Sequence, residues 1–211
     1  MNEFRLIQWK NRMISIFPCL SLLSEIWHVL RVSGIWRSEG WVVPPPYFVR
    51  RAMLLAEARA IGAQTLVETG TYHGDTAWSF RSKFRRIHTI EVEPTLAALA
   101  RERFRRIPTV VTHEGDSAAL LAGICEGMEG ACVFFLDGHY SGGNTGMGQK
   151  ECPVLEELDA IFSHARHPFR VVIDDARLFG TVPAYPSLGD IDRFLSSRGR
   201  SMRVENDAIV I

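Results

Sequence analysis

The stretch from Thr65 to Thr76 constrains the fold of this chain more than any other part of the sequence. It begins as a short apolar run typical of a β-strand, passes through a turn that contains Gly70 and Gly74, and continues into a helical pattern. A strand, a glycine-bearing turn and a helix in this order form a nucleotide-binding cradle in α/β proteins. Because glycine has no Cβ, the backbone of such a turn can pass close to a ligand. The sequence therefore predicts an α/β fold with a ligand-binding turn after its first strand.

Strands and helices alternate along the rest of the chain. The predicted strands after the first are 87–92, 109–112, 131–136 and 169–173, and the predicted helices are 48–62, 94–105, 154–162 and 187–196. Continuous apolar strands between helices indicate a parallel sheet that is buried on both faces. Residues 202–205 and 208–211 are predicted to form two strands around the turn pair Asn206-Asp207. We therefore expect one α/β domain that ends in a hairpin.

The glycine turn has the spacing Gly-x-x-x-Gly, within the motif Glu68-x-Gly70-x-Tyr72-x-Gly74-x-Thr76. Dinucleotide dehydrogenases use Gly-x-Gly-x-x-Gly instead, so a ligand without a diphosphate is favoured. The motif resembles the first motif of class I S-adenosylmethionine-dependent methyltransferases, in the form found in catechol-type and macrolide-sugar O-methyltransferases. The resemblance covers residues 60 to 211. It implies a Rossmann-like methyltransferase sandwich, closed by the antiparallel hairpin, in which the five motif residues hold S-adenosylmethionine.

Two further positions are candidates for cofactor binding. Glu91 ends the second strand, where an acid in nucleotide-binding α/β folds accepts both ribose hydroxyls. The alternative is an acid that stabilises the start of the next helix through its dipole, with Glu93 as the second candidate for the ribose. Asp116 and Ser117 follow the third strand and resemble the turn where the family holds the adenine edge. An ordinary helix N-cap is the alternative for these two residues.

Three aspartates follow two of the apolar strands. Asp137 ends the fourth strand, and Asp174 and Asp175 end the fifth. If these strands are neighbours, the three carboxylates converge, and they would repel one another unless they share a cation. Three oxygen ligands suit Mg²⁺, and the resemblance to catechol-type O-methyltransferases implies the same ligands. Such an ion would lower the pKa of a substrate hydroxyl. The alternative is that one of the pair only caps the following turn.

His139 lies two residues after Asp137 and is the predicted general base, because its ordinary pKa suits proton removal from a hydroxyl. The related families place a Lys or His shortly after this aspartate, at a different offset. Tyr140 and Lys150 are weaker candidates for the same role, and a histidine that only makes a hydrogen bond is the alternative. The glycine-rich connection 138–150 is predicted to be either a lid over the acceptor or a flexible surface loop.

The proline run at 44–46 predicts a stiff boundary between an N-terminal extension, residues 1–46, and the main domain, residues 47–211. Residues 1–40 mix apolar side chains with bases and are expected to form two short amphipathic helices. One interpretation is a helical cap that covers the substrate end of the sheet or a subunit interface of a homo-oligomer. The other is a peripheral membrane contact. Charged and proline residues interrupt the apolar segment 13–30, so no membrane span or signal peptide is expected.

Composition excludes several classes of function. The 211 residues, 46% of them hydrophobic, can bury one substantial core, and 24 basic residues balance 24 acidic ones. A balanced charge disfavours a nucleic acid as the substrate. The four cysteines, Cys19, Cys125, Cys132 and Cys152, have no disulfide or zinc spacing, which predicts buried thiols and a cytoplasmic location.

Together these features predict an enzyme that uses S-adenosylmethionine, with assistance from Mg²⁺, to methylate a hydroxyl of a small molecule or sugar. A nicotinamide-dependent oxidoreductase with an altered glycine turn is the rival enzyme class, because Glu91 also suits that cofactor. A non-catalytic module that binds S-adenosylmethionine is the third hypothesis. The aspartates at 137, 174 and 175 argue against it, since a scaffold has no obvious use for them.

Overall fold

A computed structural model describes residues 44–138 and 150–211. Arg51–Ile211 form one compact unit. The predicted amphipathic helices of residues 1–40 and nearly all of the glycine-rich connection lie outside the described residues. The domain boundary at residue 46, the homo-oligomer and the membrane contact therefore stay predictions. Of the helices in the two described segments, none has both the length and the apolar character that a membrane crossing requires.

Helices and strands alternate through the described chain. In order they are α1 (Tyr47–Ile61), β1 (Thr65–Thr69), α2 (Asp75–Phe80), β2 (Arg86–Glu91), α3 (Pro94–Phe104), β3 (Val110–Glu114), α4 (Ser117–Glu126), β4 (Cys132–Leu136), α5 (Val154–His164), β5 (Phe169–Ile173), a 3-10 turn (Ala176–Leu178), α6 (Leu188–Ser196), β6 (Arg203–Glu205) and β7 (Ala208–Val210). The predicted strands are confirmed, and their ends shift by one or two residues. The helix α4 had been indicated only by its N-cap.

The strands form a seven-stranded sheet in the order β3-β2-β1-β4-β5-β7-β6. The first five strands are parallel, β7 is antiparallel to β5, and β6 is antiparallel to β7. The strand order changes direction between β1 and β4, and α/β sheets bind their ligands beside such a switch point. The predicted α/β class, with a mostly parallel sheet and a closing hairpin, is confirmed. The carboxyl ends of β1 to β5 therefore lie along one edge.

Apolar side chains fill both faces of the central strands. Phe134 of β4 is paired in register with Val67 and Val171, and all three are fully buried in one core cluster with side chains of α4, α5 and α6. Phe135, the next residue, points to the other face and packs with side chains of α1 and α2. Alternate residues of a strand face opposite sides, so a strand with helices on both sides is apolar throughout. This packing explains the uninterrupted apolar pattern of β4.

The C-terminal hairpin turns through Asn206 and Asp207, both with positive φ, at 50° and 60°. Two central residues in this conformation form a type I′ turn, which asparagine and aspartate tolerate better than other non-glycine residues. The Asp207 carboxylate accepts the backbone N–H of Arg177 at 2.9 Å and pairs with the guanidinium of the same residue. The hairpin therefore holds the segment that follows β5.

The cysteines within the described residues are buried free thiols, as predicted. Burial raises the pKa of Cys125 and Cys152 to about 11 and that of Cys132 to about 12. Their thiols stay protonated at neutral pH, so these residues act as small apolar side chains in the core. The cytoplasmic location remains a prediction.

Gly70 offers a test of how tightly the ends of β1 and β4 are packed. Its φ is +81°, and a Cβ would lie 2.8 Å from the carbonyl carbon of Asp137 and closer still to the carbonyl oxygen. Gly62 has a similar φ of +66° with no atom within 4 Å of its Cβ position. We expect Gly62→Ala to cost roughly 1 kcal/mol of unfolding free energy, from backbone strain alone. Gly70→Ala should cost roughly 1–3 kcal/mol more, from overlap. Urea unfolding measures both, and equal losses would contradict the close approach.

Candidate active site

The predicted site residues follow strands that end along the same edge of the sheet. Thr69 at the end of β1 is in register with Ile90 of β2 and Leu136 of β4, and Leu136 is in register with Ile173 of β5. Asp137 and Asp174 each follow their strand directly, and the Asp174 N–H donates to the Leu136 carbonyl at 3.0 Å. The expectation that β4 and β5 are neighbours is confirmed.

The glycine turn after β1 is held between β2, β4 and α3. The N–H groups of Gly70 and Thr71 both donate to the carbonyl of Ile90, at 3.0 and 3.1 Å. Gly74 is the N-cap of α2 with φ 75°, and a Cβ there would lie 2.8 Å from the ring of Phe104. Both glycines are needed for their positive φ and for close packing. The turn is thus a rigid feature at the edge of the sheet.

Glu91 is bound by the backbone on both sides of the strand end. Its Oε2 accepts the N–H of Tyr72 at 2.7 Å, and its Oε1 accepts the N–H of Glu93 at 3.0 Å. The residue is 4% exposed. Each carboxylate oxygen has a second lone pair, so both can still accept a hydroxyl hydrogen. The two backbone hydrogen bonds fix the orientation of the Glu91 side chain, and its role in binding a ribose stays a prediction.

Glu93, the second candidate for the ribose, has a structural role. It is the N-cap of α3, where its side chain accepts the N–H of Leu96 at 2.7 Å. This hydrogen bond lowers the pKa of Glu93. The helix-start role considered for Glu91 is therefore filled by Glu93.

Glu68 lies beneath the turn in a network of threonines. Thr89 Oγ1 donates to Glu68 Oε2 at 2.7 Å, and the Thr71 hydroxyl lies 2.6 Å from that of Thr89. Since the only hydroxyl hydrogen of Thr89 points to Glu68, Thr71 is the donor to Thr89. Burial raises the pKa of Glu68 to about 7, against the lowering effect of hydrogen bonds from Thr89 and Thr76. The carboxyl is half protonated near neutral pH and joins β1, β2 and α2.

Asp116 and Ser117 have separate roles at the end of β3. Asp116 is the N-cap of α4 and accepts the N–H of Ala118 at 2.9 Å. Ser117 is 8% exposed and donates to the carboxylate of Glu157 in α5 at 2.6 Å. A cavity of about 290 Å³ lies beside these helix starts, lined by Asp116, Ala118, Ala119, Lys150, Pro153 and Glu156. Asp116 borders that cavity, whereas the Ser117 hydroxyl is bonded to α5.

The predicted three-aspartate metal site is not formed in this arrangement. Asp175 has a left-handed backbone, with φ 55° and ψ 46°, and its carboxylate accepts from Arg177 at 2.8 Å. Arg177 also pairs with Asp207. Within residues 44–138 and 150–211, no group of three or more histidine, cysteine, aspartate or glutamate side chains is arranged to hold a metal ion. Asp175 is paired with the guanidinium of Arg177, and the binding of Mg²⁺ by the three aspartates stays a prediction.

Tyr185 lies within electrostatic range of the same acids. Its ring packs edge-on against Phe179, with centroids 5.4 Å apart, and the residue is 8% exposed. Burial raises its pKa, and the nearby Cys152, Asp175 and Asp137 raise it further. The phenol of Tyr185 therefore stays neutral at neutral pH.

The predicted base, His139, and Tyr140 lie outside the described residues, so the identity of the base stays a prediction. Lys150, another candidate, is described, and it pairs with Glu156 in the first turn of α5. The proposed lid lies outside the described residues except at its ends, Gly138 and Lys150.

Two buried polar residues were missed by the sequence reasoning. Thr89 lies on the same face of β2 as Glu91, and it connects Glu68 to the turn. Glu157 is 2% exposed and binds Ser117. The signal for Glu157 was its spacing, because it lies on the helix stripe of the buried Val154 and Leu158. A charged residue within an apolar stripe indicates a specific partner.

Comparison with known proteins adds information on the fold. No family model matches the chain, and no curated protein matches it in sequence. The O-methyltransferase TomG from Streptomyces achromogenes, solved with S-adenosylmethionine, is 20% identical over 85% of this chain and 86% of its own, with a TM-score of 0.55. A Bacillus cereus O-methyltransferase bound to S-adenosylhomocysteine is 15% identical over 85% and 87%, with a TM-score of 0.56. The Podospora anserina methyltransferase PaMTH1, also with S-adenosylhomocysteine, is 15% identical over 85% of both chains, with a TM-score of 0.53.

These similarities establish the class of fold. The chain has the α/β fold of class I S-adenosylmethionine-dependent O-methyltransferases, as the sequence resemblance implies. The roles of the individual site residues remain predictions.

The raised pKa of Glu68 predicts a dependence of stability on pH. The folded pKa of about 7 is above the ordinary value of 4.5, so the folded state binds more protons between these values. The contribution of this group to stability is complete below pH 4.5 and is lost as the pH rises through 7. We expect Glu68→Gln to remove this loss. Its stability relative to the wild type should rise between pH 5 and 8 by on the order of 3 kcal/mol at most.

Urea unfolding at a series of pH values measures the effect. Glu129→Gln removes an exposed acid and is the matched control, which should leave the pH dependence unchanged. Parallel curves for the wild type and Glu68→Gln would show that Glu68 has an ordinary pKa.

Proposed function

We propose that this protein is an S-adenosylmethionine-dependent methyltransferase that methylates a hydroxyl group of a small molecule. The proposal rests on the carboxylate of Glu91, which lies at the carboxyl edge of the sheet near the point where the strand order changes direction. The backbone of the glycine turn and of the next helix start fixes its position. In a fold shared with proteins solved with S-adenosylmethionine or S-adenosylhomocysteine, this position suits a ribose.

In this proposal, three parts of the edge each bind a different part of the cofactor. Glu91 accepts the two ribose hydroxyls, which requires a charged and fixed carboxylate. The turn from Gly70 to Gly74 contacts the methionine part through its backbone, and Tyr72 is half exposed there. Asp116 borders the cavity beside α4, and we assign it to the amino group of adenine.

The chemistry is a displacement in line with the bond between sulfur and methyl. The bound cofactor supplies an electrophilic methyl group, and the chain has to orient the acceptor hydroxyl and receive its proton. Asp137 is at the end of β4, beside the turn, and His139 is the proposed base two residues later. Tyr185 remains a neutral phenol and contributes a hydrogen bond instead of a negative charge.

The charge of the edge favours a neutral polyol or sugar as the acceptor. Glu91, Asp137, Asp174 and Asp175 all follow or end strands there, with Arg177 paired to two acids. Carboxylates repel phosphate and accept hydrogen bonds from hydroxyls. An acceptor with several hydroxyls is therefore favoured over a nucleic acid.

Calorimetric titration with S-adenosylhomocysteine and with NAD separates the two enzyme classes. We expect S-adenosylhomocysteine to bind and NAD not to bind. Glu91→Gln should weaken S-adenosylhomocysteine at least tenfold, because a hydrogen bond to a charged group is worth about 1.5–3 kcal/mol. Glu114→Gln is the matched control, since Glu114 is in register with Glu91 on β3 but exposed. Tight NAD binding, or equal effects of both variants, would reject the proposal.

Magnesium assistance is a separate hypothesis, and it requires Asp175 to exchange Arg177 for the ion. Titration of MgCl₂ into the complex with S-adenosylhomocysteine tests it without an acceptor. If the ion assists, the wild type binds it and Asp174→Asn does not. The absence of binding in the wild type would remove magnesium from the mechanism while leaving methyl transfer in place.

A further inference from the structure

Five exposed bases lie together on the side of the sheet opposite to the candidate active site. We refer to them as the basic face; they are Lys83, Arg85, Arg86, Arg105 and Arg106. Lys83 and Arg85 are in the connection between α2 and β2, Arg86 is the first residue of β2, and Arg105 and Arg106 are in the connection between α3 and β3. Both connections precede strands, so they lie at the amino edge of the parallel sheet.

Hydrogen bonds hold the two connections against each other. The Thr109 hydroxyl donates to the carbonyl of Arg81 at 3.2 Å, and the guanidinium of Arg86 donates to the carbonyl of Pro108 at 3.5 Å. The Ile87 N–H donates to the Thr109 carbonyl at 2.7 Å. The basic side chains therefore share one surface although they come from separate parts of the chain.

Most of this charge has no acidic partner. Arg105 pairs with Glu102 at 3.2 Å, on an exposed surface where such a pair is weak. Across the described segments, Lys83, Arg85 and Arg106 form no ion pair within 4.0 Å. Elsewhere in the same segments, most arginines are paired with acids. The basic face is a concentration of unpaired charge on a chain whose formal net charge is +0.

Compensation of helix dipoles does not account for these bases. The ends of α2 and α3 lie at this edge, and Arg81 donates to the carbonyl of Trp78 at 2.6 Å, as dipole compensation requires. The bases in the last turn of α3 make other contacts: Arg101 binds Glu114, and Arg103 binds Asp75. Arg105 is the C-cap of α3, but Lys83, Arg85, Arg86 and Arg106 lie beyond the helix ends.

The opposite edge is acidic, with Glu91, Asp137, Asp174 and Asp175 at or after strand ends. These acids and the basic face therefore lie at opposite edges of the parallel sheet. On an anionic surface, such a domain orients with the basic face inward and the candidate active site outward.

The sequence of residues 1–43 identifies the class of partner. Four of the five tryptophans of the chain are within it, at positions 9, 27, 36 and 41, among bases and aliphatic residues. Tryptophan together with lysine and arginine is typical of segments that bind at the interface between a membrane and water. Single-stranded nucleic acid requires aromatic side chains for stacking, and none belongs to the basic face.

We propose that the basic face binds the anionic headgroups of a phospholipid bilayer and orients the active site away from it. This surface belongs to the main domain and is distinct from the N-terminal contact predicted from sequence. Each base near an anionic membrane contributes about a fivefold change in partitioning, so several together produce stable association. The proposal does not depend on the methyltransferase activity.

Co-sedimentation of the full chain with vesicles tests the proposal. Vesicles of phosphatidylcholine are compared with vesicles that also contain about 30% phosphatidylglycerol. We expect binding only to the anionic vesicles and a decrease at high salt. The fourfold variant K83Q/R85Q/R86Q/R106Q should lower partitioning by roughly 50-fold or more. Affinity for S-adenosylhomocysteine should be unchanged in this variant.

The matched control is R166Q/R193Q/R198Q/R200Q, which removes the same charge from exposed positions near β5 and α6. It should retain vesicle binding. Equal losses of vesicle binding in both variants would show that only net charge matters. Binding to an RNA oligonucleotide but not to vesicles would identify another partner. Either result overturns the proposal. If the fourfold variant fails to fold, the double variant K83Q/R106Q replaces it, with an expected loss of roughly tenfold or more.

Discussion

The close approach of Gly70 to the carbonyl of Asp137 is the constraint on which the edge of the sheet depends. It brings the ends of β1 and β4 together at the point where the strand order changes direction. Any side chain at position 70 would separate them. The turn that follows β1 lies at this edge. The N–H groups of Gly70 and Thr71 donate to the carbonyl of Ile90. The N–H of Tyr72 donates to the carboxylate of Glu91. One of the two backbone hydrogen bonds to Glu91 comes from this turn.

The acids of this edge differ in the groups that satisfy them. Backbone N–H groups bind Glu91, threonine hydroxyls bind Glu68, and a guanidinium binds Asp175. Only the third arrangement places a full positive charge beside the carboxylate. Carboxylates of one edge therefore differ in environment: Glu68 is buried with a raised pKa, and Asp175 is half of an ion pair.

Sequence reasoning succeeded where the signal was local. The strand 169–173 was placed without error, because a run of apolar residues ends at two aspartates, and the Asn206-Asp207 turn was recognised from its residue types. Neighbouring strand ends were also inferred correctly for β4 and β5. The helix α4 received no explicit prediction, because alanine, serine and Gly123 weaken its periodicity. The pairing of Arg177 with Asp207 could not be predicted, since it joins residues 30 positions apart through a hairpin.

The strand order also has a consequence for how the chain assembles. β1 pairs with β2, and β2 with β3, through residues that are close in sequence, such as Thr65 with Arg86. The pairing of Thr65 with Cys132 closes a much longer loop. The pairing of β5 with β7 requires the last residues of the chain. Local contacts form faster than distant ones, because closing a long loop costs more entropy. During synthesis, β1, β2 and β3 can therefore pair while β5, β6 and β7 are still being translated.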